Sequence, residues 1–237
     1  MGGSCCCGEF VEIFYPNLDF EDAPAPPPGG LILYSAGDFF SGWTCTRATI
    51  DHKDGLFGNL TLGNPNGRSN FIDLHGSPGF GAIEYNLTGL TPGNTYRVDF
   101  WTAQNGSGYT STGTLKIAGG AWLNVNWIVN TDGSVFWFKE SHLFMAMATS
   151  AKMEFSSVGG SEWGGTLLDD IKIFECPGDQ EEPIVNNPPE DFDVECDTEI
   201  PKVPVLSVSD NCDLNPDFTY KETIVLLDPC TKVITRT

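Results

Sequence analysis

Apolar and polar residues alternate along several short segments of the chain. The clearest segment is NTYRVDFWTA, residues 94–103. Because the side chains of a β-strand point alternately to opposite faces, this alternation separates two sets of residues. Tyr96, Val98 and Phe100 form one face, and Arg97, Asp99 and Trp101 form the other. The segment is therefore predicted to be a strand with one face in the core.

Two more segments have the same period of two. In residues 122–129, WLNVNWIV, the apolar face consists of Leu123, Val125, Trp127 and Val129, and the other face of Trp122, Asn124 and Asn126. In residues 151–157, AKMEFSS, Met153 and Phe155 lie opposite Lys152 and Glu154. Strand-like runs also occupy residues 10–15 and 18–21. No segment shows a 3.6-residue period over a helical length, and turn signals recur at regular spacing between about residues 31 and 175, which predicts an all-β sandwich or barrel.

A tight turn at Pro92 and Gly93 comes shortly before Tyr96. In Greek-key sandwiches a tyrosine at such a corner often bonds to the backbone just upstream. We therefore predict a structural role for Tyr96. Trp43, Trp127 and Trp137 are assigned to packing in the core or in small satellite clusters.

The segment CPGDQEEPIVNNPPED, residues 176–191, is rich in proline, asparagine and acidic residues. Such a segment has little to bury, so it predicts a boundary between a domain at 1–176, a linker at 177–190 and a second domain at 191–237. Four strand-like runs follow the boundary: FDVEC, VPVLSV, FTYKETIVLL and KVITRT. The last run reaches Thr237 inside an apparent strand, so we expect the second domain to be partial.

Composition agrees with an all-β protein and narrows its partners. The 237 residues include 16 Phe, 27 Gly and 16 Pro, which suits a packed core with many turns. The formal net charge is −20, which repels nucleic acid and anionic membranes. No apolar run approaches the roughly 20 residues of a membrane span. A signal peptide is not visible at Met1, so a secreted protein would have lost it or carry it elsewhere.

Eight cysteines without a zinc-type CxxC spacing indicate an oxidising compartment, and so a secreted or cell-surface location. Cys45 and Cys176 are each expected to pair with one another or with the cluster Cys5, Cys6 and Cys7. Within the second domain Cys196 and Cys212 are the candidate pair for a disulfide. Eight cysteines allow 105 complete pairings, so the connectivity stays open.

Four segments taken together resemble the galactose-binding-like jelly rolls of secreted carbohydrate-binding modules. The nearest likeness is to the plant cell-wall and bacterial domain-of-unknown-function group with that fold. It is carried by NLDFED (17–22), GWTCTRATID (42–51), residues 70–105 from NFID to TAQN, and LLDDIKIF (167–174). The resemblance covers about residues 15–175 and implies a jelly-roll β-sandwich that associates with polysaccharide or cell wall, usually without catalysis.

The second domain resembles the immunoglobulin-like repeats of large bacterial surface proteins, including adhesins of gliding bacteria. VECD, SDNCD and ITRT carry this likeness. In such repeats TRT is commonly followed by an aromatic residue and another cysteine-containing strand, which this sequence does not have. The resemblance therefore implies a partial immunoglobulin-like β-sandwich and leaves Cys230 without an assigned partner.

The jelly-roll resemblance also implies a structural calcium ion between the first and last strands. Its positions match Glu21 and one aspartate of the pair Asp169 and Asp170, with backbone carbonyls as further ligands; hard oxygen ligands suit Ca²⁺. Alternation places the two aspartates on opposite faces, and we favour Asp170. Asp51 is a weaker candidate. The alternative is that the pair ends a strand near solvent and binds no metal.

A sugar-binding surface is the second candidate site. Flat aromatic rings stack against the C–H faces of sugars, while amide, carboxylate and guanidinium groups bind the hydroxyls. The candidate residues are Arg97, Asp99, Trp101, Trp122, Asn124 and Asn126. They form one surface only if their two strands share a sheet face; otherwise Trp101 and Trp122 pack under loops or against the second domain.

Catalysis has little support in the sequence. No pair of carboxylates is singled out for glycoside hydrolysis, and no GxSxG or HExxH motif is present. We therefore predict a non-catalytic module, within an extracellular adhesin-like protein, that binds a glycan or another extracellular polymer. The rivals are a spacer or tip domain that contacts other subunits of a surface filament, and an accessory domain of a larger secreted enzyme.

Overall fold

The computed structural model describes most of the chain. The described residues are 9–22, 24–57, 70–105, 110–129, 136–159, 165–176, 181–191, 193–195, 202, 205–210, 216–228 and 231–236. They contain strands and turns and no α-helix, so the all-β prediction is confirmed. None of the described elements is a helix long and apolar enough to cross a membrane. The chain divides into two compact units, 1–178 and 179–237.

The described residues of the first unit form thirteen strands. In chain order they are β1 (Val11–Ile13), β2 (Leu31–Ser35), β3 (Phe39–Phe40), β4 (Trp43–Arg47), β5 (Thr49–Asp54), β6 (Asn70–Asp73), β7 (Ala82–Thr88), β8 (Thr95–Gln104), β9 (Ser111–Ala118), β10 (Leu123–Val129), β11 (Phe138–Met145), β12 (Ser150–Gly159) and β13 (Thr166–Cys176). The three segments that alternate most clearly in sequence are β8, β10 and β12. Their predicted inward residues Val98, Phe100, Met153 and Phe155 are fully buried.

These strands form two antiparallel sheets. The seven-stranded sheet has the order β11-β8-β13-β6-β5-β2, with β1 paired to the far end of β13. The six-stranded sheet has the order β10-β9-β12-β7-β4-β3. The sheets pack face to face, because the Phe100 ring of the first sheet lies 4.9 Å from Trp127 and 5.0 Å from Phe155 of the second. The predicted β-sandwich is thus observed for this unit.

The turn before β8 has the predicted tyrosine corner. The backbone N–H of Thr91 donates to Tyr96 Oη at 2.7 Å, and Tyr96 Oη donates to Glu175 at 2.6 Å. The hydroxyl therefore joins the turn to the last strand of the same sheet. The prediction for the tryptophans is also confirmed: Trp43 and Trp127 belong to the main core, and Trp137 packs against a small satellite cluster of Phe71, Ala103 and Leu167.

Residues 18–21 form turns, so the strand predicted there is wrong. Asn17 and Phe20 have positive φ values of 53° and 59°, which breaks an extended strand. Leu18 and Phe20 are nevertheless buried in the core, and the Leu18 carbonyl accepts a hydrogen bond from the backbone N–H of Ile171 at 3.0 Å. This turn meets β13 along the stretch between its pairings with β6 and with β1. The apolar residues suggested a strand, but they are buried in a turn that is hydrogen-bonded to β13 at its bulge.

The described residues of the second unit form two separate antiparallel pairs, β14 (Ile184–Asn186) with β15 (Ser207–Ser209) and β16 (Glu222–Leu226) with β17 (Lys232–Arg236). Strand β14 lies inside the segment predicted as linker, where its residues pair with those of β15. None of the residues described in this unit is buried.

Cys45 is a free, buried thiol on the inner face of β4, so its predicted disulfide with Cys176 or another cysteine is wrong. Burial also raises the pKa of this thiol, which makes it less reactive. Cys176, at the end of β13, is disulfide-bonded. The cysteines at 5–7, Cys196 and Cys212 lie outside the described residues.

Candidate functional site

The two strands predicted to share a sugar-binding face belong to different sheets. Strand β8 lies in the seven-stranded sheet, whereas β10 is an edge strand of the six-stranded sheet. Their outward residues therefore lie on opposite outer faces of the sandwich, and the prediction of one continuous surface is wrong. Alternation correctly separates inward from outward positions within each strand. It does not say to which sheet a strand belongs.

On β8 the outward Asp99 is only 2% exposed and is surrounded by donors. Ser141 Oγ donates to it at 2.7 Å, Lys139 Nζ lies 2.7 Å away, and Arg97 Nε lies 3.0 Å away. Burial alone would raise the pKa of Asp99, but the hydrogen bonds from Lys139 and Ser141 and the positive charges of Lys139 and Arg97 lower it below its usual value. The carboxylate is therefore held ionised by its own sheet.

Arg97, like Asp99, contacts other residues of the protein. Its guanidinium carbon lies 4.6 Å from the Phe10 ring centroid and 4.3 Å from that of Phe174, so the group contacts both aromatic rings. Trp101 is half-buried and faces Asp169 on one neighbouring strand and Lys139 on the other. The three predicted residues of β8 thus stabilise the sheet and leave few polar groups for a ligand.

Around β10, in contrast to β8, the outward side chains are exposed to solvent. Trp122 is 74% exposed and Ile128 66% exposed, and Asn124 and Asn126 between them are exposed as well. The residues in between turn inward, and Trp127 is only 4% exposed. Trp122, which directly precedes β10, is therefore exposed to solvent together with Asn124 and Asn126, as predicted.

The neighbouring strand β9 extends this surface. Asn124 lies opposite Lys116, and Asn126 lies opposite Thr114. Thr114 Oγ1 donates to Asn126 Oδ1 at 2.8 Å, which orients the Asn126 amide with its NH₂ group available to solvent. We call the surface formed by Trp122, Asn124, Asn126, Thr114 and Lys116 the β10 face. It has one exposed indole beside amide, hydroxyl and ammonium groups, a set that can stack against and hydrogen-bond to a polyol.

The aspartate pair of β13 lies at a bulge in its pairing with β8. Asp169 is fully buried: its Oδ1 accepts the Asp170 backbone N–H at 2.7 Å, and its Oδ2 has no hydrogen-bond partner in the described part of the chain. Burial first, and then the negative charges of Asp170, Glu21 and Asp19, raise the pKa of Asp169 well above its usual value. A buried carboxylate oxygen without a partner, among other carboxylates, fits a bound cation.

The two aspartates differ in their partners. Asp170 has a positive φ of 45°, and its carboxylate lies 3.6 Å from Lys172 Nζ. Glu21 accepts hydrogen bonds from the Asn70 backbone N–H at 3.1 Å and from the Asn70 side chain at 2.9 Å. Among the residues that the structure describes, no three His, Cys, Asp or Glu side chains converge as a metal site. A calcium ion here would therefore need backbone carbonyls in addition to Asp169 and Glu21.

Asp51, the weaker calcium candidate, belongs to a different cluster. Its Oδ2 lies 3.7 Å from Lys53 Nζ, and on the neighbouring strand it faces Asp73. Burial raises the pKa of Asp51 to about 6, against the lowering effect of Lys53 and with a further rise from Asp73. Sequence reasoning did not recognise Lys53 and Asp73. The available signal was the i, i+2 spacing of Asp51 and Lys53, which places both on one strand face.

Comparison with known proteins shows no matching family model and no matching curated protein. Solved structures with a similar arrangement include the CBM22-1 xylan-binding domain of Paenibacillus barcinonensis Xyn10C, at 14% identity and a TM-score of 0.42, covering 65% of this chain and 100% of that one. TmCBM61 in complex with β-1,4-galactotriose has 17% identity and a TM-score of 0.38, covering 67% and 94%. A family 35 carbohydrate binding module from Clostridium thermocellum has 16% identity and a TM-score of 0.37, covering 61% and 97%.

Proposed function

We propose that the first unit is a non-catalytic glycan-binding module and that the β10 face is its binding surface. The observation that carries the proposal is the 74% exposure of Trp122 beside two exposed asparagines on the same side of β10. Exposing an indole to water is unfavourable unless a partner covers it. A sugar ring supplies such a cover, because its C–H face stacks on the indole while its hydroxyls pair with the amides.

The character of the β10 face favours an extended glycan chain over a small buried ligand. Its residues lie along an edge strand and its neighbour rather than around a cavity. Small-molecule sites are usually concave and mostly apolar, whereas this surface is open and polar. We therefore infer that it binds a polysaccharide of the cell wall or the extracellular matrix.

The proposed setting is a secreted or surface-attached adhesin-like protein. The disulfide at Cys176 supports an oxidising compartment. The formal net charge of −20 supports a neutral or cationic polymer as partner, because an anionic polymer would be repelled.

Binding of a glycan is tested by screening the wild type on a glycan array and titrating the best ligand by calorimetry. Trp122→Ala is expected to abolish measurable binding with an unchanged melting temperature. Ile128→Ala is the matched control, because Ile128 is 66% exposed on the outward side of β10 and lacks an aromatic ring. Wild-type protein that binds no glycan, or binding that survives Trp122→Ala, would contradict the proposal.

We also propose a structural calcium ion held by Asp169 and Glu21 with backbone carbonyls. The support is the unpartnered Asp169 Oδ2 and its acidic surroundings. When bound, the ion would neutralise these carboxylates and join the 17–22 turn to β13. Asp169 replaces Asp170 as the favoured ligand, because the Asp169 carboxylate interacts with Glu21 whereas that of Asp170 lies near Lys172.

The calcium proposal is tested by thermal unfolding in EGTA and after Ca²⁺ is restored. We expect the melting temperature to fall in EGTA and to recover with Ca²⁺, and Asp169→Asn to lose this dependence. Glu12→Gln, an exposed acid on β1, is the matched control and should keep it. If the melting temperature of the wild type does not change with EGTA or with Ca²⁺, the calcium proposal is wrong.

A role in subunit assembly is a second candidate, supported by the second unit. Ile224, Val225 and Leu226 of β16 are 56%, 53% and 74% exposed, so both faces of this two-stranded pair present apolar side chains. Isolated two-stranded sheets are marginal in water, and exposed apolar strands pair readily with others. Concentration-dependent association measured by analytical ultracentrifugation, and its loss in Leu226→Lys, would support this role.

A further inference from the structure

A buried charged cluster lies on the outer face of the seven-stranded sheet, apart from the β10 face. Lys53, Asp73 and Asp51 are 3%, 1% and 7% exposed. Asp51 and Lys53 are two residues apart on β5, and Asp73 of β6 lies directly opposite Asp51. Two facing carboxylates on a buried sheet surface are unfavourable unless a cation or a proton lies between them. Lys53 provides the cation.

The cluster holds its reactive atoms in contact. Lys53 Nζ lies 2.5 Å from Asp73 Oδ2 and 3.7 Å from Asp51 Oδ2. Asn105 Nδ2 also donates to Asp73 Oδ2, at 2.8 Å, and the backbone N–H of His75 donates to Asp73 Oδ1 at 3.0 Å. An amine, a carboxyl group with a donor on each oxygen, and a second carboxylate within reach of the amine are thus assembled in one place.

Two aromatic rings border the cluster. The Phe57 ring centroid lies 4.8 Å from Lys53 Nζ, and Phe71, opposite Lys53 in the strand register, belongs to the satellite cluster packed under Trp137. Exclusion of water favours condensation of an amine with a carboxylic acid over the reverse hydrolysis, and fixed contact replaces a bimolecular encounter.

We propose that Lys53 and Asp73 form an intramolecular isopeptide bond and that Asp51 carries the proton in this reaction. The bond would covalently join β5 to β6 and close a loop from residue 53 to residue 73. The inference is independent of the glycan-binding proposal, since none of its residues belongs to the β10 face.

The condensation needs no external reagent. Asp51 takes a proton from Lys53 Nζ, and the neutral amine attacks Asp73 Cγ. The Nζ–Cγ bond forms and the Cγ–Oδ2 bond breaks. Of the three ammonium protons, one stays on the amide nitrogen and two leave with Oδ2 as water. One of these two passes directly from Nζ to Oδ2. The other passes through Asp51, which is ionised again at the end of the reaction. Oδ1 remains as the amide oxygen and keeps the hydrogen bond from His75, which stabilises the charge that develops on it during attack.

The remaining charges near the cluster agree with this role for Asp51. Burial and Asp73 raise the pKa of Asp51 to about 6, so this carboxyl group both gains and loses a proton near neutral pH, as a proton carrier must. Its position 3.7 Å from the amine supplies the geometry.

The test is mass spectrometry of the full chain after its disulfides are reduced. We expect an intact mass lower than the sequence mass by one water molecule. A tryptic digest should contain one branched peptide joining the segments around Lys53 and Asp73, with no cleavage after Lys53. Asp73→Ala and Asp51→Asn should both restore the full mass and the cleavage. The Lys139–Asp99 pair is the internal control, because its ammonium is half-exposed and, among the residues that the structure describes, no second carboxylate is paired with it; trypsin should cleave after Lys139.

A wild-type chain with the full sequence mass and normal cleavage after Lys53 would overturn the proposal and leave the cluster as an ion pair. This measurement decides the question even where a variant fails to fold. If Asp51→Asn is folded by circular dichroism and forms the bond as fully and as fast as wild type, the role of Asp51 is overturned.

Discussion

The two outer faces of the sandwich use similar residues in opposite ways. On the seven-stranded sheet, Arg97, Asp99 and Trp101 are turned outward but are covered or paired, and Asp99 is only 2% exposed. On the six-stranded sheet, Trp122, Asn124 and Asn126 occupy equivalent alternating positions, and Trp122 is 74% exposed. On the seven-stranded sheet these polar groups bind to neighbouring strands, whereas on the six-stranded sheet they face solvent.

The difference follows from strand position. Strand β8 is paired on both sides, to β11 and β13, so each outward residue has two neighbouring strands to contact. Strand β10 lies at the edge of its sheet, so its outward residues have neighbours only on β9. A central strand therefore favours structural ion pairs, whereas an edge strand leaves a surface open for a partner.

The largest expected contrast concerns stability. Asp99→Ala removes the acceptor shared by Ser141, Lys139 and Arg97, and should lower the free energy of unfolding by about 2–3 kcal/mol, less than for a fully buried pair because Lys139 is half-exposed. Asn124→Ala on the β10 face should change it by less than about 0.5 kcal/mol. Urea unfolding of both variants measures the contrast, and equal effects would remove the distinction between the faces.

A smaller effect is expected from acid. The pKa of Asp99 is lower in the folded protein than in the unfolded chain, where it is about 3.9, so this carboxylate stabilises the fold above that pH. The contribution is lost as pH falls through the folded-state pKa. Between pH 5 and pH 3 the free energy of unfolding should therefore fall more for wild type than for Asp99→Asn. Asn124→Ala should parallel wild type, and an Asp99→Asn profile parallel to wild type would contradict the assignment.

The smallest expected effect lies on the β10 face. Thr114→Val keeps the side-chain shape but removes the hydrogen bond to Asn126 Oδ1. Glycan affinity measured by calorimetry should fall about twofold to threefold, since an exposed hydrogen bond contributes roughly 0.5 kcal/mol. Thr112→Val, on the same side of β9 opposite Ile128, is the matched control and should leave affinity unchanged. Equal losses in both variants would mean that Asn126 needs no orientation by Thr114.

Much of the local structure could be predicted from the residues. Alternation correctly gave the two sides of β8, β10 and β12, because the period of a strand is set by the backbone alone. The Pro-Gly turn before Tyr96 predicted a contact between its hydroxyl and the backbone just upstream. The contact, with Thr91, was predictable because the two residues are only five positions apart in sequence. The exposed position of Trp122 also followed from alternation with Trp127.

The partners of these residues could not be predicted in the same way. Asp99 meets Ser141, which is 42 residues away in sequence, and Glu21 meets Asn70, which is 49 residues away. Such contacts depend on which strands pair, and many pairings bury similar apolar faces. For the same reason the sequence alone favoured Asp170 for calcium, whereas the bulge in β13 places Asp169 among the acidic neighbours.

The sequence by itself determined that this protein is all-β, which residues of its clearest strands face the core, and which aromatic and polar residues face away from it. Those properties depend on short-range backbone geometry and on burial of apolar side chains. Only the tertiary structure decided that β8 and β10 lie on opposite sheets, and that Lys53 meets Asp73. The pairing of distant strands brings these groups together, and it is selected by the packing of the whole sandwich rather than by any single segment.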